Sequence, residues 1–228
     1  MALQIDAQVV TELTWDYVQS KPRLARLYEK GKVSQWNATT DIDWTPEVNF
    51  GESTMEEDAV EGVSQMLGLT DSPLERLGPE GRTRFAWEFQ AWMVSQFMHG
   101  EQGALVATAR LVETVPDIDS KFYAANQVND EARHVEAYAR YLNEKLQVSY
   151  PISIPLESLL VDIMKERRWD ITYLGMQIMV EGLALAAFGL ANYMFLDPII
   201  KQITGLVMRD LCRPGNYADT ATIENVAA

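Results

Sequence analysis

Glu131 and His134 are the pair of residues whose types and spacing most directly suggest chemistry. Residues three apart on an α-helix leave the same face about one turn apart. A carboxylate oxygen and an imidazole nitrogen placed in this way can bind one metal ion together. The same spacing is also common on solvated helices, so the pair predicts a metal site only if other helices supply further ligands.

Glu101 and Glu181 are the further ligands that the sequence offers, because each falls in the middle of an apolar helical stripe. A buried ionised carboxylate is costly unless it is paired or binds a cation. A carboxylate-bridged pair of metal ions takes one Glu from each of two helices and a Glu-x-x-His from each of two others. The predicted metal ligands, and with them the catalytic residues, are therefore Glu101, Glu131, His134 and Glu181.

The metal-binding pattern belongs to an internal repeat with an offset of eighty residues. Thirty residues separate Glu101 from Glu131, and thirty separate Glu181 from position 211. An Asp and an Arg frame the Glu-x-x-His in both copies, and we predict that the Asp orients a His while the Arg balances charge. An ordinary surface ion pair is the alternative for the first copy. The framing residues are Asp130, Arg133, Asp210 and Arg213.

The second copy of the repeat has lost its metal-binding residues, since Leu211 and Pro214 stand where the pattern requires Glu and His. The proline should also end the helix. Two explanations stay open: a C-terminus altered from about residue 211 by a frameshift or truncation, and a natural half-site that binds one metal ion or none. In either case the chain cannot complete a site with six protein ligands.

Four long helices must position these residues, and apolar spacings of three and four predict them. Asp197-Pro198 is a typical helix start, with Asp as the cap and Pro in the first turn. No strand pattern of useful length is visible, so the predicted fold class is all-α. The predicted helices cover about 80–113, 118–146 and 156–195, with a fourth from Pro198 to Pro214.

Particular residues are predicted to face the core of the bundle. The predicted stripes include Phe85, Phe89, Trp92, Met93, Phe97, Leu105 and Leu111 in the first helix, Ala124, Val128, Val135, Tyr138 and Leu142 in the second, Ile171, Leu174, Ile178, Leu185 and Phe188 in the third, and Ile200, Ile203 and Val207 in the fourth. Tyr123, Tyr138 and Trp92 also lie near the predicted site, where core packing is favoured over a redox role.

Three regions make up the predicted domain organisation: a helical, Trp-rich extension over 1–79, a helical bundle over 80–214 and an irregular tail over 215–228. In the extension a short helix should end at Gly31, and another should begin near residue 54. Trp36 and Trp44 lie among turn-forming residues and should pack on the main body.

The composition excludes several classes of partner. The 33 acidic and 19 basic residues give a formal net charge of −14, which argues against nucleic acid and anionic membrane surfaces. One cysteine and the absence of a signal-peptide pattern predict a cytoplasmic protein. The apolar run 178–196 is interrupted by Glu181 and Asn192 and predicts a buried helix of a soluble protein rather than a membrane span.

The chain resembles the ferritin-like di-iron carboxylate proteins, and more narrowly di-iron oxygenases such as bacterial multicomponent monooxygenase hydroxylases and aryl-amine N-oxygenases. The resemblance lies in HGEQGALVATARL (99–111), YAANQVNDEARHVEAY (123–138), VEGLALAAFGLANY (180–193) and DPIIKQITGLVMRD (197–210). It implies a ferritin-like four-helix bundle and iron ligands at the four residues identified above. The departure at positions 211 and 214 puts the activity of this chain in question.

The resemblance also implies an activity. Iron, with manganese as an alternative, would activate O₂ to oxidise a small organic substrate by hydroxylation, N-oxygenation or desaturation. Electrons would come from an external reductase or ferredoxin, because the sequence has no dinucleotide-binding motif. A homodimer formed through the long helices is the predicted assembly. Two other interpretations stay open: a ferroxidase or metal-handling protein, and a non-catalytic helical paralogue.

Overall fold

The computed structural model describes residues 3–50 and 76–212, together with 55, 61–62, 65 and 68. These residues form six helices and no strand, which confirms the predicted all-α class. Most of the helix expected to begin near residue 54 lies outside the described residues. The helices are α1 (Pro22–Val33), α2 (Pro79–Thr114), α3 (Ile118–Tyr141, extended by a π-helical turn over Leu142–Leu146), α4 (Ile154–Lys165), α5 (Trp169–Met194) and α6 (Pro198–Leu211).

The hairpin of α2 and α3 forms the centre of the molecule, and its bounds lie close to the predicted ones. Proline opens α2 directly after Gly78, where its missing N–H costs nothing. At the start of α3 the Asp117 side chain accepts a hydrogen bond from the Ser120 N–H, which satisfies an unpaired donor of the first turn. The hairpin brings Glu101 of α2 opposite His134 of α3.

The single helix predicted over 156–195 is wrong, because the chain breaks between α4 and α5. Glu166 adopts an extended conformation with ψ of 138°. Its carboxylate accepts hydrogen bonds from the backbone N–H groups of Arg167 and Arg168, at 2.7 and 2.9 Å. The side chain thereby satisfies backbone groups that a continuous helix would have bonded, and α5 begins as a separate helix at Trp169.

The predicted inner face of α5 is also wrong over its first turns. Ile171 and Leu174 are 40% and 41% exposed, whereas Met176 and Gln177 are buried. A π-helical segment over Leu174–Val180 is responsible, since its wider turns rotate the residues away from the spacing of a regular α-helix. Regular α-helix resumes at Glu181, and from there the predicted inner face is correct again, with the Glu181 carboxylate buried.

An aromatic cluster packs the core around the middle of the helices. Phe97 meets the Phe188 ring edge to face at a centroid distance of 4.7 Å, and Tyr138 stacks on Phe188 at 6.0 Å. Trp36 is buried in the same core and Trp44 packs against it, so the prediction that both tryptophans pack on the main body is confirmed. Trp92 was expected to face inward but is 40% exposed.

One side of α5 is apolar and exposed. The helix is long and apolar enough to cross a membrane by length and composition, and 28% of its most apolar window is buried. Phe188 and Ala191 lie in the core, whereas Met179, Leu183 and Tyr193 are more than 60% exposed. The prediction of a buried helix therefore holds for one face only.

Gly103 provides a test of the contact between α2 and α4. A Cβ atom there would lie 2.5 Å from Leu160 Cδ2 and 3.1 Å from its Cγ, so Leu160 would have to leave its packed position. We expect Gly103→Ala to lower the free energy of unfolding by about 1–2 kcal/mol, because overpacking exceeds the gain in helix propensity.

Gly100 is the matched control for that substitution, because it lies on the same helix and a Cβ atom added there would meet nothing within 4 Å. Gly100→Ala should raise the free energy of unfolding by up to about 1 kcal/mol through helix propensity alone. Urea denaturation of the two variants checks both values, and an equal effect of the two substitutions would contradict the close contact.

Candidate metal centre

Three of the four predicted ligands come together at the middle of the α2–α3 hairpin. Glu101, Glu131 and His134 each offer one ligand atom, and these atoms lie within 4.8 Å of one another. His134 Nδ1 is 3.2 Å from Glu101 Oε2 and 3.4 Å from Glu131 Oε2. All three residues are 5% exposed or less, so the group lies inside the core.

The donor set fits a cation. Glu131 Oε2 is buried and has no hydrogen-bond partner, although a buried polar atom is normally satisfied. Two carboxylates and one imidazole nitrogen are ligands that suit iron and manganese. A divalent ion among them would satisfy the orphaned oxygen and offset the charge of the two acids.

Burial strongly affects the protonation of this group. Removal from water raises the pKa of Glu101 to about 8, although His134 opposes that shift. Burial would by itself lower the pKa of His134, but Glu101, Asp210 and Glu131 together raise it well above its ordinary value. The folded chain without metal therefore favours protons on the residues that a metal ion would bind.

Asp210 lies behind His134, whereas the repeat would pair it with the histidine that is missing at position 214. Its Oδ2 is 3.2 Å from His134 Nε2, which leaves Nδ1 to face the carboxylates. The same oxygen accepts hydrogen bonds from Trp36 Nε1 at 2.7 Å and from Arg133 Nη2 at 3.0 Å. An acceptor on Nε2 fixes the tautomer and the ring orientation of a metal-binding histidine.

Of the other framing residues, Asp130 and Arg133 are described by the structure and Arg213 is not. Asp130 accepts hydrogen bonds from Arg133 Nη2 at 2.6 Å and from Gln35 Nε2 at 3.0 Å. Both members of this ion pair are buried, so the alternative of a surface ion pair is wrong. Arg213 and Pro214 lie outside the described residues.

Glu181 does not join the three-residue group, although it is buried as predicted. Its Oε1 accepts a hydrogen bond from Gln127 Nε2 at 2.8 Å. Gln127 also approaches Glu131 Oε1 at 3.3 Å and donates to Gln177. Glu181 therefore lies outside the group of three ligand atoms, and its part as a metal ligand stays a prediction.

Sequence reasoning missed Trp36, Gln35, Gln127 and Gln177. Trp36 and Gln35 lie far in sequence from Asp210 and Arg133, and no spacing links them to those residues. Gln127 and Gln177 each stand four residues before a predicted glutamate, on the same helix face. That spacing was available as a signal for a polar layer next to the carboxylates.

Three further residues that the sequence suggested, His99, Tyr138 and Cys212, do not belong to the group of three ligand atoms. His99 Nε2 is 2.9 Å from the backbone oxygen of Tyr150, so it points away as expected. The Tyr138 hydroxyl is buried with no hydrogen-bond partner, and burial raises its pKa. Cys212 is exposed with a free thiol.

A small apolar cavity lies next to the polar layer. Its volume of about 20 Å³ is enough for one water-sized molecule. Leu24, Leu111, Val115, Ser120, Tyr123, Ala124, Gln127 and Tyr173 line it. Gln127 thus contacts the cavity as well as the carboxylates of Glu131 and Glu181.

The metal-free protein should lose stability as the pH rises. The pKa of Glu101 is raised from 4.5 to about 8, so folding favours its protonated form and this contribution is lost as the pH passes through about 8. The raised pKa of His134 acts in the same direction, since its contribution is present below 6.5 and lost as the pH rises. We expect the metal-free chain to be less stable at pH 9 than at pH 6, because the folded state holds these protons more tightly than the unfolded chain does.

Metal should reverse this dependence, because its ligands must be deprotonated. Thermal unfolding of the metal-free and Mn²⁺-loaded protein at pH 6 and 9 checks the prediction. Stabilisation by Mn²⁺ should be larger at pH 9. Equal stability of the metal-free protein at both pH values would contradict the burial of ionisable groups described here.

No family model, curated protein or solved structure matches this chain.

Proposed function

We propose that this protein is a ferritin-like, metal-dependent oxidoreductase that binds iron at Glu101, Glu131 and His134 and uses O₂ to oxidise a small organic substrate. The observation that carries the proposal is the buried group of three ligand atoms within 4.8 Å of one another. Glu131 Oε2 makes no hydrogen bond and lies 3.4 Å from His134 Nδ1, and a bound cation would supply the partner that this buried oxygen lacks.

The arrangement of the helices supports the ferritin-like part of the proposal. Four helices, α2, α3, α5 and α6, each place a buried acid near the centre of the molecule: Glu101, Glu131, Glu181 and Asp210. Metal sites in four-helix bundles are built in this way from side chains on facing helices. The repeat of eighty residues in the sequence is also expected of two related helical hairpins.

The side chains of this chain would hold and shield the reaction centre. Reduced iron, when bound, supplies electrons for the activation of O₂. Three protein ligands leave coordination positions open for small molecules. Asp210 holds the His134 ring in place, and the packed rings of Phe97, Tyr138 and Phe188 keep water from one side. Reducing equivalents would come from a separate reductase or ferredoxin.

Metal handling is the second candidate function. The cavity beside Gln127 has room for about one water-sized molecule, and oxidation of Fe²⁺ by O₂ needs no pocket for an organic substrate. Both functions use the same three ligands and differ in what receives the oxidising equivalents.

Reconstitution with Fe²⁺ under anaerobic conditions tests the proposal. The metal content per chain is measured by elemental analysis, and O₂ is then added with a chemical reductant and a panel of small aromatic amines and hydrocarbons. Bound iron with an oxidised organic product supports the oxidoreductase. Consumption of O₂ only in proportion to Fe²⁺ oxidised indicates a ferroxidase, and the absence of bound iron contradicts both functions.

A further inference from the structure

We propose that the centre holds one metal ion, and that the amide of Gln127 takes the place of a second ion between Glu131 and Glu181. This inference rests on the proposed function and specifies its metal content. It concerns the side of Glu131 that faces away from His134.

The amide of Gln127 links the two carboxylates that a second ion would have to share. Its Nε2 is 2.8 Å from Glu181 Oε1 and 3.3 Å from Glu131 Oε1. Gln127 is 7% exposed and both acids are buried. A hydrogen-bond donor between two buried acids offsets part of the cost of their burial, which is the part that a second cation plays in a two-metal site.

The orientation of the Gln127 amide follows from its neighbours. Gln177 Nε2 donates to Thr108 Oγ1 at 2.9 Å, so Gln177 Oε1 faces Gln127 and accepts from its Nε2. The two N–H groups of Gln127 are shared among Gln177 Oε1, Glu181 Oε1 and, at the longest distance, Glu131 Oε1, and an amide N–H is a donor that offers no lone pair to a metal ion. Thr108 and Gln177 are themselves buried, which keeps this layer in place.

Among the described residues at the end of α6, none replaces the ligand that is missing at position 211. Leu211 is 4% exposed and packs in the main apolar cluster with Val207 and Ile203. Asp210, one residue earlier, faces His134 Nε2, Trp36 and Arg133 instead. The carboxylates of Glu101 and Glu131 balance the charge of one divalent ion, and Glu181 accepts a hydrogen bond from Gln127.

Titration of the metal-free protein with Mn²⁺ tests the inference. The number of ions that remain after gel filtration is measured by elemental analysis, and electron paramagnetic resonance distinguishes an isolated ion from a coupled pair. We expect one ion per chain with the spectrum of isolated Mn²⁺.

Gln127→Glu should raise the count from one ion to two, because it places a carboxylate between Glu131 and Glu181. Gln127→Met, of similar length but without an oxygen ligand, is the matched control and should keep one ion. A Gln127→Glu variant that stays at one ion, while folded, would overturn the part assigned to Gln127.

The number of metal ions retained per wild-type chain distinguishes failure of this inference from failure of the proposed function. Two ions with a coupled spectrum would overturn the single-ion site and leave the oxidoreductase proposal standing. No retained Mn²⁺ and no retained Fe²⁺ would overturn both. One isolated ion in the wild type, with two in Gln127→Glu, supports the inference.

Discussion

Glu131→Gln should abolish metal binding. Glu131 lies between His134 Nδ1, at 3.4 Å from its Oε2, and Gln127 Nε2, at 3.3 Å from its Oε1. Removal of this charge takes away one of three ligands and half of the carboxylate charge in the group. Loss of a residue that only orients the ligands typically weakens metal affinity by about 10–100-fold, so we expect more than about 100-fold here. Mn²⁺ titration followed by elemental analysis measures the loss.

Glu136→Gln is the matched control, because Glu136 lies on the exposed side of the same helix. It should bind metal as the wild type does. The metal-free Glu131→Gln protein should also be at least as stable as the wild type, since a buried carboxylate has been neutralised. Unchanged metal occupancy in Glu131→Gln would refute the ligand assignment, and a lower melting temperature without metal would show that lost folding explains lost binding.

The proximity of Glu101, Glu131 and His134 could be predicted from sequence because it depends on local geometry. Glu131 and His134 share one helix, and regular helix positions both of them whatever the rest of the fold does. Glu101 lies on the preceding helix, joined by a connection of three residues, so the two helices had to form a hairpin with Glu101 facing the pair. Short-range spacing is sufficient for this part of the site.

Glu181 shows where spacing alone fails. The sequence correctly predicted that Glu181 is buried. It did not predict that Gln127 is its hydrogen-bond partner or that a π-helical segment directly precedes it. A π-helical turn is a local response to tertiary packing and leaves no clear pattern in the sequence. The break at Glu166 is similar, because a side chain that bonds to the following backbone competes with helix formation.

Trp36 and Gln35 could not have been assigned to the site from sequence. They come from the irregular segment after α1 and reach Asp210 and Arg133 across more than ninety residues. Turn-forming residues around Trp36 indicated only that it packs somewhere on the body. Contacts of this kind depend on the tertiary arrangement, which no local period encodes.

Arg133→Met should destabilise the fold more than any other single change to the framing residues. The guanidinium donates to Asp130 Oδ1 at 2.6 Å and to Asp210 Oδ2 at 3.0 Å, and it lies 4.9 Å from the centre of the Trp36 ring. Removing one partner of a buried ion pair typically costs about 3–5 kcal/mol, because a charge is left uncompensated. Gln35 and Trp36 still donate to the two acids, so we expect about 3 kcal/mol.

That loss should appear as a fall of about 6–12 °C in the melting temperature of the metal-free protein. Arg84→Met is the control, because Arg84 is exposed and its nearest carboxylate, on Glu88, is 3.8 Å away; its effect should stay within about 0.5 kcal/mol. Adding Asp130→Asn to Arg133→Met should recover part of the loss, since one uncompensated acid is then neutral. An Arg133→Met variant with the melting temperature of the wild type would contradict this prediction. It would show that groups other than Arg133 stabilise Asp130 and Asp210, and that Asp210 does not need this arginine to stay beside His134.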